Sequence, residues 1–309
     1  MRILVTGGAG FIGSHIVEHF QGKAEVRVLD NLRSGHRENL DGFDVDFRLG
    51  DICDRQAVDS AMEGVDYVFH LAAMISVPES MSKIAECIKI NDLGMINVLE
   101  SAAAAGVKKL CFSTSAAIYG DNPVMPKVET MFPEPKSPYA ITKLDGEYYC
   151  RMFAQEGKLQ TACLRYFNVF GPRQDPKSAY AAAVPIFIAK ALANEDLTIF
   201  GDGEQTRDFI YVKDIVAANA FFAMNDHTGV HNIANGGKIS INDLAAEIIR
   251  LTGSRSKIIH KEVRAGDVKH SRASIDKLKA TGFRPSFSFS DGLAATVEAY
   301  KKAMSKKPH

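Results

Sequence analysis

The sequence has no surplus of charge in either direction. Lysine plus arginine number 37 and aspartate plus glutamate 37, so no bulk positive field points to nucleic acid or an anionic membrane. Any anion site must come from particular residues. No apolar run is long enough to span a bilayer and no signal-peptide pattern opens the chain, so a cytoplasmic location is expected. Cysteine is sparse: Cys53, Cys87, Cys111, Cys150 and Cys163 are odd in number and include no Cys-x-x-Cys. They read as small buried apolar residues in a reducing compartment. Internal repeats and low-complexity segments are absent. His70 lacks a second histidine or carboxylate at metal-ligand spacing, so it reads as a satisfied strand residue and no metal is expected. What remains is an ordinary globular composition, 46% hydrophobic and 24% charged over 309 residues, enough for one large or two smaller domains.

The first half alternates strand and helix. Arg2-Ile3-Leu4-Val5-Thr6 is an apolar run without polar alternation, as in a parallel strand buried on both faces. It runs into Gly7-Gly8-Ala9-Gly10-Phe11-Ile12-Gly13 and a helical pattern through Phe20. Gly8-x-Gly10-x-x-Gly13 permits a tight turn, close backbone approach to a pyrophosphate, and helix-on-strand packing. The anion would sit at the helix N-terminus, where free N–H groups favour it. A second strand, Glu25 to Leu29, ends at Asp30, which can accept hydrogen bonds from an adenosine ribose and would repel a 2′-phosphate. Arg33, close behind, could instead serve a phosphate, and Asp30 could simply cap the loop from Leu32. Further strands at Val45–Leu49, Tyr67–Leu71 and Lys108–Phe112 would deliver Asp51, Ala72-Ala73 and Ser113-Thr114-Ser115 to the carboxyl edge of the sheet. Ser80 to Ala105 reads as mostly one long amphipathic helix containing Asn91.

A helix from Tyr139 to about Glu156 begins in Ser137-Pro138-Tyr139-Ala140-Ile141-Thr142-Lys143, placing Tyr139 and Lys143 one turn apart on one face. An ammonium near a phenol favours the phenolate, and a phenol with a pKa lowered from about 10 can serve as a base. A surface tyrosine above a solvated lysine would show the same spacing. Ser113 and Ser115 could relay a proton beside Tyr139, or form only a polar turn. After the strand Gln160–Tyr166 the texture changes, with turns at Gly171–Pro176 and Gly201–Gly203 and a helix at Ala181–Ala193. Phe209–Val212, the helix Asp214–Met224 and Val230–Ala234 look like a return to the sheet, and Lys301–His309 reads as a frayed basic tail. The expected fold is α/β: a doubly wound parallel (Rossmann) sheet with a smaller C-terminal α/β substrate domain. The expected division is 1–170 plus 206–236 for the dinucleotide and 171–205 plus 237–309 for the substrate.

Thr6-Gly7-Gly8-Ala9-Gly10-Phe11-Ile12-Gly13, Asp30-Asn31-Leu32, Asn91, Phe112-Ser113-Thr114-Ser115 and Tyr139-x-x-x-Lys143, in that order, resemble the extended short-chain dehydrogenase/reductases. Within them, the nucleotide-sugar 4-epimerases acting on UDP-glucose or UDP-N-acetylglucosamine are most similar. The resemblance implies NAD held by Gly7, Gly10, Phe11, Ile12, Gly13, Asp30, Asn31, Asp51, Ile52, Leu71, Ala72, Ala73, Tyr139 and Lys143. It implies Tyr139 as base, Lys143 as its pKa partner and ribose ligand, Ser115 with Ser113 as relay, and Asn91 supporting the lysine through a helix carbonyl and water. Arg165 to Gly171, Arg207-Asp208 and Arg264-x-Gly-Asp267 resemble the nucleoside-diphosphate site, with Arg207 and Arg264 as a clamp and Asp267 on the uridine ribose. Ser76, Asn168, Val184 and Ser271 complete the implied substrate set. A small Ser271 leaves room for a 2-acetamido group, whereas Ile75 is bulkier than that subgroup carries. The implied reaction is NAD-dependent C4 epimerisation through a 4-keto sugar, without nucleic acid or membrane. The helices around 80–105 and 139–156 resemble the pair forming a four-helix dimer interface, so a homodimer is expected. Rival readings are a 4,6-dehydratase or decarboxylase on the same scaffold, or a non-catalytic NAD-binding module. Ser115 and Ala116 stand where the dehydratase carries an Asp-Glu pair, and both Tyr139 and Lys143 are present.

Overall fold

The apolar run at the start of the chain forms strand β1 (Arg2–Thr6), buried along almost its whole length because helices cover both faces of the sheet. The structure is a computed structural model that describes residues 1–176, 182–263 and 269–305. After β1 come α1 (Phe11–Phe20), β2 (Glu25–Asp30), β3 (Asp46–Leu49), α2 (Arg55–Met62) and β4 (Tyr67–His70). Then follow α3 (Val77–Ser82), α4 (Ile84–Ile88), α5 (Gly94–Ala104), β5 (Lys109–Ser115), α6 (Pro138–Gln155) and β6 (Gln160–Tyr166). The second half adds β7 (Asn168–Phe170), α7 (Ala183–Leu192), β8 (Leu197–Phe200), β9 (Thr206–Arg207), β10 (Phe209–Tyr211) and α8 (Val212–Met224). It closes with β11 (Gly229–Ile233), β12 (Ile239–Ser240), α9 (Ile241–Thr252), β13 (Ile258–Lys261), α10 (Asp276–Ala280) and α11 (Phe289–Ser305).

Seven of these strands form one parallel sheet in the order β11-β6-β5-β4-β1-β2-β3. The winding reverses between β1 and β4, and ligands of such sheets bind in the crevice beyond the carboxyl ends there. Thr6 stands level with Leu29 on one side and His70 on the other, so the glycine loop, Asp30 and Leu71-Ala72-Ala73 emerge at one edge. One apolar cluster packs α1 and α8 against the sheet through Ile16, Val17, Phe20, Ile215 and Phe222. A second packs α2, α5 and α6 on the other face through Val58, Met62, Val98, Leu99 and Cys150. A third joins Phe170, Phe209 and Tyr211 to Val184, Phe187, Leu244, Ile248 and Leu293, with Phe11 and Ile12 packed against it.

Three expectations are corrected. The long helix over Ser80–Ala105 is broken: Lys83 leaves helical geometry at φ −130°, ψ 55°, and Lys89–Leu93 form a π turn before α5. The widened turn directs Asn91 inward, where its side chain bonds to neighbouring elements, as described below. Phe209–Tyr211 does not rejoin the main sheet; it pairs with β7 in a separate parallel ribbon. There Phe209 and Tyr211 bury their rings against Phe170, at centroid distances of 6.2 and 5.7 Å. The C-terminal tail is ordered further than expected, because α11 runs to Ser305 and Lys301 Nζ donates to Leu251 O at 3.2 Å. All five cysteines are free thiols, and no helix among the described residues is long and apolar enough to cross a membrane.

Candidate active site

The loop after β1 is closed by its own backbone. Gly7 has φ 71°, and a Cβ there would lie 2.8 Å from Ala72 N; one at Gly13 would run into the Gly7 carbonyl oxygen. Gly10 caps α1 with no side-chain hydrogen bond, so the first-turn N–H groups are left for a ligand. Asp30, buried at the end of β2, accepts from Ala9 N at 2.9 Å and from Leu32 N at 2.8 Å. Burial raises its carboxyl above the usual range, and the two N–H groups oppose that rise. Asn31 Nδ2 donates to Asp51 Oδ2 at 2.9 Å, tying the ends of β2 and β3 together. Beyond them lies a cavity of about 550 Å³. It is lined by Gly7, Gly10, Phe11, Ile12, Gly13, Asp30, Asn31, Asp51, Ile52, Leu71, Ala72 and Ala73, with Tyr139 and Lys143. The cradle that a Cβ would fill, the open helix N-terminus and the cavity's size fit a dinucleotide.

Tyr139 occupies the first turn of α6, which Ser137 caps by accepting from Ala140 N at 3.2 Å. Lys143 Nζ donates to Ser113 O at 2.8 Å and lies 5.8 Å from the Tyr139 ring centroid and 4.9 Å from that of Phe112. Burial pulls the Lys143 ammonium down to about 8. Burial also pushes the Tyr139 phenol up, against the Ser115 hydroxyl beside it, which pulls the other way. The expected acidic phenol is thus not a property of the protein alone: the ammonium is bonded to a carbonyl, and desolvation dominates. Ser115 Oγ also accepts from Ala117 N at 3.1 Å, and Ser113 Oγ is buried with no hydrogen-bond partner among the described residues. Asn91 accepts from Met74 N at 2.7 Å and donates to Met74 O at 3.1 Å and Thr142 Oγ1 at 3.0 Å. Its side chain therefore braces the loop after β4 against α6, one residue from Lys143. His70 is a satisfied strand residue, with Nδ1 2.7 Å from Thr6 Oγ1, and burial pulls its pKa down to about 3.

On the substrate side, Ser76 caps α3 by accepting from Glu79 N at 3.1 Å. Asn168 Nδ2 donates to Asp208 O at 3.1 Å, fixing β7 beside the Arg207 stretch. Ser271 N donates to Thr206 O at 3.0 Å and His270 Nδ1 lies 2.9 Å from Thr206 Oγ1, so Arg207 and Ser271 occupy adjoining backbone. Val184 is 2% exposed, and its side chain packs in the third apolar cluster. Arg264 and Asp267 lie outside the described residues.

The NAD dependent epimerase/dehydratase family matches residues 3–235. The chain belongs to that family. It is 38% identical over 302 residues to a putative UDP-glucose 4-epimerase of Methanocaldococcus jannaschii, covering 97% of this chain and 98% of that protein. Among solved structures it is similar to the UDP-N-acetylglucosamine 4-epimerase of Methanobrevibacter ruminantium in complex with UDP-N-acetylmuramic acid, at TM-score 0.95 and 40% identity over 98% of this chain and 99% of that one. It is equally close to the UDP-glucose 4-epimerase of Thermotoga maritima with UDP-glucose, at TM-score 0.94 and 41% identity over 98% of this chain and 100% of that one. NAD is therefore the cofactor of the cradle described above.

Within this epimerase/dehydratase scaffold the arginine-rich stretch read with the nucleotide site divides. Arg165 forms a buried pair with Glu147, at 2.8 and 2.7 Å, instead of facing the cavity. Asp208, fully buried and pushed up to about 6, accepts from Asn235, Gly236 and Ala273 N–H groups at 3.1 Å and so holds loops of the second half in place. Two cavity residues lie in stretches the sequence marks, Tyr166 in Arg165 to Gly171 and Arg173 in the turn Gly171–Pro176, without a role of their own. Tyr166, at the end of β6, lines the cavity and accepts from Asn219 Nδ2 at 2.6 Å. Arg173, at φ 65°, lines it too and ties the loop after β7 to Glu18 and His15 of α1. Their partners are more than fifty residues away in sequence, so no local pattern shows what either side chain holds.

Proposed function

We propose that this chain, an NAD-dependent UDP-sugar 4-epimerase, interconverts UDP-N-acetylglucosamine and UDP-N-acetylgalactosamine and also accepts UDP-glucose and UDP-galactose. The observation that supports the substrate reading is the place of Ser271, whose main-chain N–H is bonded to Thr206 O beside Arg207; a side chain as small as serine there would leave room for a 2-acetamido group. When bound, NAD supplies a hydride acceptor and, once reduced, the donor that returns the hydride. Tyr139 takes the proton of the sugar 4-hydroxyl, with the Ser115 hydroxyl as the path to it, and gives it back to the new alcohol. Lys143, held by the Ser113 carbonyl, keeps a positive charge at the back of the phenol. Arg207 and Asn168 hold the diphosphate end, and that remote binding orients a sugar that must turn over between the two transfers. The same proton and hydride leave and return, so mass is unchanged and no outside oxidant is consumed; dehydration or decarboxylation would lower the mass.

Proton NMR of the purified protein with UDP-N-acetylglucosamine, and separately with UDP-glucose, without added cofactor, is expected to show the galacto epimer in both. Ser271→Tyr is expected to stop conversion of the acetylated sugar and spare the plain one. If both conversions survive that change equally, the pocket assignment fails.

An uncovered apolar face supports a homodimer. Ile84, Ile88, Leu93, Ile141, Tyr148 and Met152, on α4, the π turn, and α6, are each between 44% and 54% exposed. A face of this kind on adjacent helices suits burial against the same face of a second copy. Sedimentation is expected to give twice the 33.7 kDa chain mass; a species of chain mass alone at micromolar concentration would rule the dimer out.

A further inference from the structure

Arg33 lies on the exit loop of β2, three residues beyond Asp30, and lines the same cavity. Its main chain is fixed: Leu32 is left-handed at φ 57° and Arg33 N donates to Asn31 Oδ1 at 3.0 Å. A guanidinium free to swing from this point would attract a phosphate on the adenosine ribose. Asp30 would oppose it only in part, because both its oxygens already accept main-chain N–H groups.

The guanidinium is not left to swing. Arg33 Nη1 donates to Glu86 Oε1 at 2.5 Å and Nη2 to Glu79 Oε1 at 3.0 Å. Glu79 belongs to α3 and Glu86 to α4, so two separate helices hold one side chain. Lys83 sits between them, 3.0 Å from Glu79 and 3.8 Å from Glu86, which makes the group two cations and two carboxylates with no net charge. The Arg33 side chain is 33% exposed and that of Glu79 28%, and ion pairs this open are individually weak. Two carboxylates on one guanidinium together compete with a phosphate dianion arriving from the cavity.

We propose that Glu79 and Glu86 determine cofactor specificity: by holding Arg33 against α3 and α4 they deny it to a 2′-phosphate and restrict the adenosine end of the site to NAD. The acidic residue at the end of β2 then shares the discrimination with two carboxylates that never touch the dinucleotide. They are positioning residues, acting through Arg33.

The test uses protein freed of bound dinucleotide and titrated calorimetrically with NAD and with NADP. In the Glu79→Gln/Glu86→Gln variant the affinity for NADP relative to NAD is expected to rise by about tenfold or more, since a released guanidinium can pair with the added phosphate. Adding Arg33→Ala to that variant is expected to return the ratio to the wild-type value. The gain should also shrink as salt is raised. An unchanged ratio in the double variant overturns the proposal. So does a gain that persists without Arg33, which would assign it to Lys83 or to lost negative charge in general. Melting curves establish that each variant is folded; should the double variant fail to fold, Glu86→Gln and Glu79→Gln are read singly, each with and without Arg33→Ala, by the same criteria.

Discussion

Tyr139→Phe is expected to lower turnover by about 10²–10⁴-fold, the range for losing a positioned acid–base group, while bound NAD and melting temperature stay at wild-type values. The ring would still fill its place at the start of α6, and only the oxygen beside Ser115 would be lost. Lys143→Met should also abolish turnover, but it should raise stability. The ammonium is pulled from 10.5 down to about 8 by burial, so the folded state resists its charge. For a cation this penalty is full below the folded value and fades as pH rises toward the unfolded one, where the native lysine has already shed its proton. The methionine variant should therefore unfold at higher temperature than wild type at pH 7, by on the order of 2 kcal/mol after loss of the bond to Ser113 O. That margin should close between pH 8 and pH 10.5. Wild-type turnover in Tyr139→Phe would remove the phenol from the chemistry, and a less stable Lys143→Met would show that the ammonium serves the fold.

Glu147→Ala is expected to be among the most destabilising single changes, costing about 3–5 kcal/mol. Glu147 and Arg165 are 4% and 5% exposed, and the carboxylate accepts Arg165 Nε at 2.8 Å, Nη2 at 2.7 Å and Thr114 Oγ1 at 2.9 Å. The guanidinium also lies 4.9 Å over the Tyr119 ring. Removing the carboxylate leaves a positive charge in the core between β5, β6 and α6, with no solvent to accept it. The double change Glu147→Leu/Arg165→Met removes both charges and should recover most of the loss. Denaturant unfolding midpoints measure both, and KM for the nucleotide sugar should be unmoved in whatever folds. A variant that keeps its stability but loses substrate affinity would return Arg165 to the diphosphate site, where its neighbours in the sequence had suggested it belonged.

The parts of this enzyme legible from sequence are those whose partners lie within a turn or a loop. The glycines sit between a strand and a helix, Asp30 closes β2, and Tyr139 and Lys143 share a helix face, so spacing alone places them. The rest depends on contacts across the chain. Nothing local marks the π turn at Lys89–Leu93, because its cause is Asn91 reaching Met74 and Thr142, 17 and 51 residues distant. Phe209–Tyr211 has the composition of a sheet strand, and only the aromatic packing on Phe170 takes it elsewhere. Val184 and Arg165 fell within stretches of binding character, but their side chains are buried. The sequence shows the ammonium beside the Tyr139 phenol but not the burial that pushes the phenol up.

The third apolar cluster draws on both ends of the chain. Phe11 and Ile12, which line the cavity, pack against the same mass of side chains as Phe187 of α7, Ile248 of α9 and Leu293 of α11. Contacts of this kind tie the glycine-loop helix to the second half of the chain by close packing. In the proposed reaction the sugar would then turn by its own torsions, beside walls that share one core.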